Sequence, residues 1–243
     1  MIAVHVEALS RRFGAVTALD DVTFSVPAGS IVGILGHNGA GKTTLLEILA
    51  TLLLPQAGRA NVLGHDVVDA PRALRRVLAY VPAGGTSFFP RLTGRQNLEY
   101  FAALYNVPRR EWRTHSDAAA AVFDIADALP RRVDTYSDGM RQRLALARAW
   151  MAHAQVWLLD EPTRGLDPHA RALTHAAITQ QARSRGATIL WSTHDLHEAE
   201  AVCDRVIVLH HGRVTLDQST EVLRSQPGSL LRAYGDATTG GAA

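Results

Sequence analysis

Apolar residues fall along this chain in three textures. The first is a set of short continuous runs that stop at small or polar residues. Ile31-Val32-Gly33-Ile34-Leu35 ends on Gly36, Val156-Trp157-Leu158-Leu159 ends on Asp160-Glu161, and Ile189-Leu190-Trp191 ends on Ser192-Thr193-His194. Runs of this kind suit strands buried on both faces of a parallel sheet. The second texture, over residues 1–7, 23–26, 58–63 and 78–81, also predicts strands, with Pro27-Ala28-Gly29 turning the chain from the strand 23–26 into one over 30–35. The third is helical. Residues 44–53 would bury Leu45, Leu46, Ile48, Leu49 and Leu52, and from about 93 to 150 nearly everything reads as helix. There Thr93-Gly94-Arg95-Gln96 has capping-box spacing and opens a helix carrying Leu98, Phe101 and Leu104. Residues 112–125 and 138–151 predict two more, the last with Met140, Leu144, Ala147 and Met151 on one face.

After residue 156 strands and helices alternate: strand 156–159, helix 168–184, strand 187–192, helix 196–202, then a hairpin of 205–209 and 213–216 across His210-His211-Gly212. The pattern predicts an α/β scaffold with a helical subdomain inserted at about residues 90–153. The tail after Pro227 is expected to fray.

At 243 residues the chain suits one elaborated domain. Its formal net charge is only +2, which gives no general basic field, and no nucleic-acid partner is expected. Cys203 is the single cysteine, so no intramolecular disulfide forms, and its apolar neighbours suggest a buried side chain. No basic start leads into a long apolar stretch, and no apolar run approaches the roughly 20 residues that span a bilayer.

Charge becomes informative at one position. Of 25 Lys and Arg residues only Lys42 is lysine, and it sits in Gly36-His37-Asn38-Gly39-Ala40-Gly41-Lys42-Thr43-Thr44. This is the phosphate-loop pattern: glycine, four residues, glycine, lysine, hydroxyl. A compact ammonium fits a narrow phosphate cradle that a planar guanidinium would not. Backbone N–H groups at a strand–turn–helix junction favour anions. Lys42 would reach the β- and γ-phosphates of a nucleoside triphosphate, and the Thr43 hydroxyl would ligate Mg²⁺.

Ligands of open α/β sheets sit at the carboxyl ends of strands. Asp160 and Glu161 end one buried run, as Mg²⁺ ligand and general base in the catalytic reading. Alone, the pair would serve equally well to cap the turn at Pro162-Thr163. His194 ends another run and would donate to a γ-phosphate oxygen. The hydroxyl of Ser137 and the glycine Gly139 introduce a helix whose N-terminus suits an anion.

In their order and spacing these motifs resemble the nucleotide-binding ATPase subunit of an ABC (ATP-binding cassette) transporter, over about residues 2–225. The resemblance implies a P-loop cassette with a mainly parallel central sheet, an N-terminal antiparallel β subdomain and the inserted helical subdomain. Residues 1–225 would form the nucleotide-binding domain and 226–243 a C-terminal tail. Gly36 to Thr44 looks like the Walker A loop, Val156 to Asp160 like Walker B, and Glu161 stands at the catalytic glutamate. Tyr136 to Met140 is similar to the signature motif, Gly165-Leu166-Asp167 to the D-loop, and His194 to the switch histidine. Phe13 falls where the family stacks an aromatic ring on adenine; a core phenylalanine would also fit that spacing.

The resemblance further implies ATP and Mg²⁺ as cofactors and a head-to-tail pair with a second copy or a related cassette. In that pair ATP on one chain meets Ser137 and Gly139 of the other. A separate transmembrane permease subunit would hold the protein at the cytoplasmic face of the membrane. The wording around the signature is similar to the subgroup serving exporters of drugs, antibiotics or polysaccharides. Two departures stand out. Asp138 and Met140 replace the usual glycine and glutamine of the signature. After Tyr80-Val81-Pro82, Ala83 replaces the usual Q-loop glutamine, whose roles would pass to Thr86, Ser87 or water. Phe88 and Phe89 would either receive a helix of the permease or pack within the helical subdomain. Two other readings are a soluble cassette ATPase of translation or DNA repair, and a nucleotide sensor that scarcely hydrolyses ATP.

Overall fold

The structure is a computed structural model and describes residues 1–85, 87–224, 232, 234 and 235. The chain opens with two long strands, β1 (Ile2–Phe13) and β2 (Val16–Pro27). Then come β3 (Ile31–Leu35), α1 (Lys42–Leu49), β4 (Ala57–Val62), β5 (His65–Asp66), α2 (Pro71–Leu74) and β6 (Leu78–Val81). Three helices follow, α3 (Gly94–Leu104), α4 (Trp112–Val122) and α5 (Asp138–Met151). The last part comprises β7 (Val156–Asp160), α6 (Pro168–Arg185), β8 (Thr188–Thr193), α7 (Leu196–Val202), β9 (Arg205–His210), β10 (Arg213–Ser219) and α8 (Thr220–Arg224).

These strands make two sheets. One is antiparallel, in the order β2-β1-β4-β5; the other runs β10-β9-β3-β8-β7-β6 and is parallel except for β10. The continuous apolar runs have a direct cause. Val156 and Leu158 of β7 join a core shared with the antiparallel sheet and α1, while Trp157 and Leu159 face the core that holds α3, α4 and α5. Each strand is buried on both faces, so it shows no polar side.

The helical region lies between β6 and β7 and is anchored by caps. Thr93 and Gln96 form the expected reciprocal capping box, and Ser137 Oγ accepts from the Met140 amide at the start of α5. Cys203 is buried.

Several boundaries differ from expectation. Strands β1 and β2 are longer than predicted because bulges shift their register and break the alternation. Helix α1 begins at Lys42 and ends at Leu49, which leaves Leu52 61% exposed instead of buried. Leu104, the last residue of α3, is 57% exposed for the same reason: the helix stops before its apolar stripe is covered. Helix α4 ends at Val122 rather than 125. Thr86, and the tail beyond Pro227 apart from residues 232, 234 and 235, lie outside the described residues.

Candidate nucleotide site

The loop from Gly36 to Lys42 joins the end of β3 to the start of α1, at the carboxyl edge of the parallel sheet. Gly41, the N-cap of α1, has φ 107°, and a side chain there would drive into the Ala18 carbonyl. Only glycine satisfies both conditions. Lys42 Nζ is folded back under the loop, donating to the Gly36 carbonyl at 2.6 Å and the His37 carbonyl at 3.1 Å. The side chain is buried; burial holds its pKa below the ordinary lysine range, and the nearby Glu161 and Asp160 charges oppose that shift.

Asp160 ends β7 beside this loop. Its Oδ2 accepts from Thr43 Oγ1 at 2.7 Å, and its Oδ1 accepts from Ser192 Oγ at 2.6 Å. Asp160 and Ser192 are register partners on β7 and β8. Ser192 Oγ in turn accepts from the Glu161 amide at 2.9 Å. Glu161 leaves the sheet with a positive φ of 45°. Its carboxylate lies 3.2 Å from His194 Nδ1 and 3.3 Å from Arg164 Nη1.

Beneath these groups Glu198 on α7 is buried and accepts from Thr193 Oγ1 at 2.6 Å, Trp191 Nε1 at 3.3 Å and, through a short contact, Thr163 Oγ1. His175 Nε2 is 3.0 Å away. Burial opposes ionisation of Glu198, but hydrogen bonds from His175, Thr163 and Thr193 outweigh it and hold the carboxyl below its ordinary range.

The cleft over the loop has a volume of about 330 Å³. Phe13, Asn38, Gly39, Ala40, Gly41, Lys42, Thr43, Thr44, Asp160 and Glu161 all line it, as does Ala83. Phe13 ends β1 at 46% exposure, so it is not a core residue; the Arg11 guanidinium lies 4.8 Å from its ring centroid. Ser137, Gly139 and Asp167 do not line this cleft. Ser137 and Asp167 are exposed N-caps of α5 and α6. The Asp167 carboxyl is held low by hydrogen bonds from the Ala170 and His169 amides.

Two participants escaped the sequence reading. Ser192 is visible only as part of a polar strand end, and Arg164 carries no motif; register brings Ser192 to Asp160 and the Glu161 amide, and turn geometry brings Arg164 to the Glu161 carboxylate.

A phosphate loop, a strand-end carboxylate bonded to its hydroxyl, and a glutamate beside a histidine define a P-loop nucleoside-triphosphatase site. Residues 19–164 match the family model described as ABC transporter. The chain is 39% identical over 226 residues to the daunorubicin resistance ATP-binding protein DrrA3 of Streptomyces coeruleorubidus, covering 93% of this chain and 71% of that protein. It is also 39% identical over 218 residues to the ABC transporter ATP-binding protein NatA of Bacillus subtilis, covering 88% of each. A solved structure described as the ATP binding subunit of an ABC transporter superposes with a TM-score of 0.86 at 31% identity, over 97% of this chain and 99% of the other. The chain therefore belongs to the ABC transporter family, as an ATP-binding subunit of the kind that hydrolyses ATP to power transport.

Proposed function

We propose that this subunit hydrolyses ATP with Lys42, Asp160, Glu161 and His194 and drives a membrane-spanning exporter. The observation that carries the proposal is the chain of contacts from Thr43 through Asp160 and Ser192 to the Glu161 backbone, which joins the phosphate loop to the glutamate. Thr43 and Asp160 offer hard oxygen donors 2.7 Å apart, a donor set that fits Mg²⁺ and would hold it. The ion would neutralise charge on the phosphates.

The protein's own groups do the rest. Lys42 exchanges its loop carbonyls for β- and γ-phosphate oxygens. Loop amides and the start of α1 take the remaining charge. Glu161 orients and deprotonates the attacking water, and His194, beside it, contacts the γ-phosphate. Phe13 presents a half-exposed ring to adenine once Arg11 moves aside.

Ser137, Gly139 and Asp167 belong to the face that meets a second cassette. Exposure of Ser137 and Asp167, away from their own chain's cleft, supports that assignment. A transmembrane partner is supported by the family and by an apolar surface on the helical region. Phe89, 45% exposed, packs edge-on against Tyr100, itself 43% exposed, at 4.9 Å, with exposed Leu104 on the same helix as Tyr100. Phe88 is different: it packs into the core against Phe101, with Arg148 over its ring. Of the two phenylalanines, Phe89 is the one offered to a partner. No helix among the described residues is long and apolar enough to cross a membrane, so attachment at the cytoplasmic face would come through that partner. The name of the DrrA3 relative supports a cargo of drug or antibiotic type.

Two measurements test this. Purified protein, alone or with its partner, should hydrolyse ATP only with Mg²⁺, and Glu161→Gln should abolish turnover. Gentle solubilisation should co-purify a polytopic membrane protein. ATP binding without Mg²⁺-dependent turnover would favour a sensor, a reading to which the methyl of Ala83 in the cleft lends weight.

A further inference from the structure

Three histidines meet at the outer edge of the phosphate loop. His37 is the loop's second residue, and His210 and His211 sit at the β9–β10 turn. One ring nitrogen from each lies within 4.8 Å of the others. The ring centroids are 5.3 Å apart for His37 and His210, 5.5 Å for His37 and His211, and 4.2 Å for His210 and His211. None of the three has a place in the hydrolytic chemistry above through its imidazole.

The backbone holds the two segments together independently of the rings. The Gly212 amide donates to the Ala40 carbonyl at 3.1 Å, and the Asp20 amide donates to the Gly212 carbonyl at 2.9 Å. The hairpin tip is thus pinned to the loop, and the imidazoles converge on a frame that already exists. His37 Nδ1 lies 2.7 Å from the Asn38 carbonyl. A carbonyl oxygen only accepts, so Nδ1 carries the proton and the Nε2 lone pair is free. A metal-ligating histidine usually makes this arrangement, donating its other N–H to a carbonyl. His210 adds an independent sign: its Nδ1 is buried and has no hydrogen-bond partner. A buried polar atom left unpaired carries a desolvation cost that a bound ion relieves.

We infer that His37, His210 and His211 form a binding site for a borderline-soft divalent transition metal such as Zn²⁺, clamping the phosphate loop to the β9–β10 turn. Three imidazoles with an open solvent-facing position suit Zn²⁺, Cu²⁺ or Ni²⁺, whereas Mg²⁺ prefers oxygen ligands. With Zn–N bonds of about 2.0–2.1 Å, tetrahedral ligand atoms stand about 3.3 Å apart. Closing from 4.8 Å to that spacing asks the rings to turn about their χ angles while the backbone frame stays in place, and His211 is exposed and free of packing that would oppose it. Because the His37 carbonyl accepts from Lys42 Nζ, an ion held here grips the residue that positions the phosphate-binding lysine.

The test is calorimetric titration of ZnCl₂ into the untagged full chain with Mg²⁺ in excess, repeated with CoCl₂ and read by visible absorption. The chain has eleven histidines, so the variants decide which of them bind. His211→Asn and His210→Gln are made separately, and circular dichroism confirms that each folds. The expected result is one Zn²⁺ per chain that Mg²⁺ does not displace, the visible spectrum of tetrahedral Co²⁺, and a loss of affinity of more than about tenfold in each variant. Saturable binding that is absent, displaced by Mg²⁺, or equal in wild type and both folded variants would overturn the assignment. Turnover at saturating MgATP without added Zn²⁺ should be unchanged in His211→Asn, so loss of the metal site is separable from loss of the ATPase.

Discussion

Thr43 Oγ1 donates to Asp160 Oδ2 at 2.7 Å across 117 positions of sequence. That bond ties the first turn of α1 to the carboxyl end of β7, and it places two oxygens where a divalent cation beside a triphosphate would need them. The other oxygen of the same carboxylate is held by Ser192. Asp160 is therefore oriented from both sides, at 2% exposure, before any ligand arrives. A site held this way avoids reorganising at the moment of reaction.

Lys42→Arg tests why the chain keeps a single lysine. The ammonium sits buried between the Gly36 and His37 carbonyls. A guanidinium is wider and cannot take the same position without displacing the loop. ATP turnover should fall by about 100-fold or more, the scale on which loss of one preorganised electrostatic group is felt. Steady-state hydrolysis equal to wild type would show that the loop accommodates the larger cation.

Ser192→Ala removes one partner of Asp160 Oδ1 and the acceptor for the Glu161 amide. The cavity is small, so the loss is mainly of hydrogen bonds to buried groups. Stability should drop by about 1–3 kcal/mol in chemical denaturation. Turnover should fall as well, because Asp160 and Glu161 lose a common support. An unchanged denaturation midpoint would mean that water replaces the hydroxyl without cost.

What the sequence made legible here follows from distance along the chain. The strands β3, β7 and β8 stand out because burial on two faces leaves an unbroken apolar run, and the capping box at Thr93 is a four-residue signal. Lys42, Thr43 and Asp160 could be read because each lies in a contiguous motif. Ser192 could not, since its role depends on which residue of β7 faces it, a matter of sheet register. The meeting of His37 with His210 and His211 depends on β9 lying beside β3. The extent of β1 and β2 was hidden by bulges, and α2 and α8, at four and five residues, are too short to show a period.

Gly85→Ala tests the link between the cleft and the helical region. Ala83 lines the cleft, and two residues later Gly85, at φ 59°, lies against α5. A Cβ there would come within 2.5 Å of the Arg141 carbonyl oxygen and the Gln142 amide nitrogen. These contacts are with the backbone of α5, which has no flexible side-chain end to yield. The variant should lose about 2–4 kcal/mol, combining left-handed strain with overpacking. Denaturant titration checks this, and a loss below about 0.5 kcal/mol, the size of an ordinary surface change, would show that the loop does not rest on α5.

Glu198 makes stability depend on acid in a predictable direction. Burial disfavours its charge, but donors from His175, Thr163 and Thr193 prevail, and the folded-state pKa lies below the unfolded value of about 4.3. A carboxyl lowered by folding contributes stability that is fully present above the unfolded pKa. That contribution is lost as pH falls through the folded value, because protonation removes the acceptor for these donors. Wild type should hold a plateau near neutrality and lose stability below about pH 4.3. Glu198→Gln keeps the shape but not the charge, so it should be less stable at pH 7, with the gap narrowing as acid is added. Urea midpoints for both proteins between about pH 3 and 7 read the difference directly. A gap that stays constant across that range would place the acid sensitivity in other carboxylates.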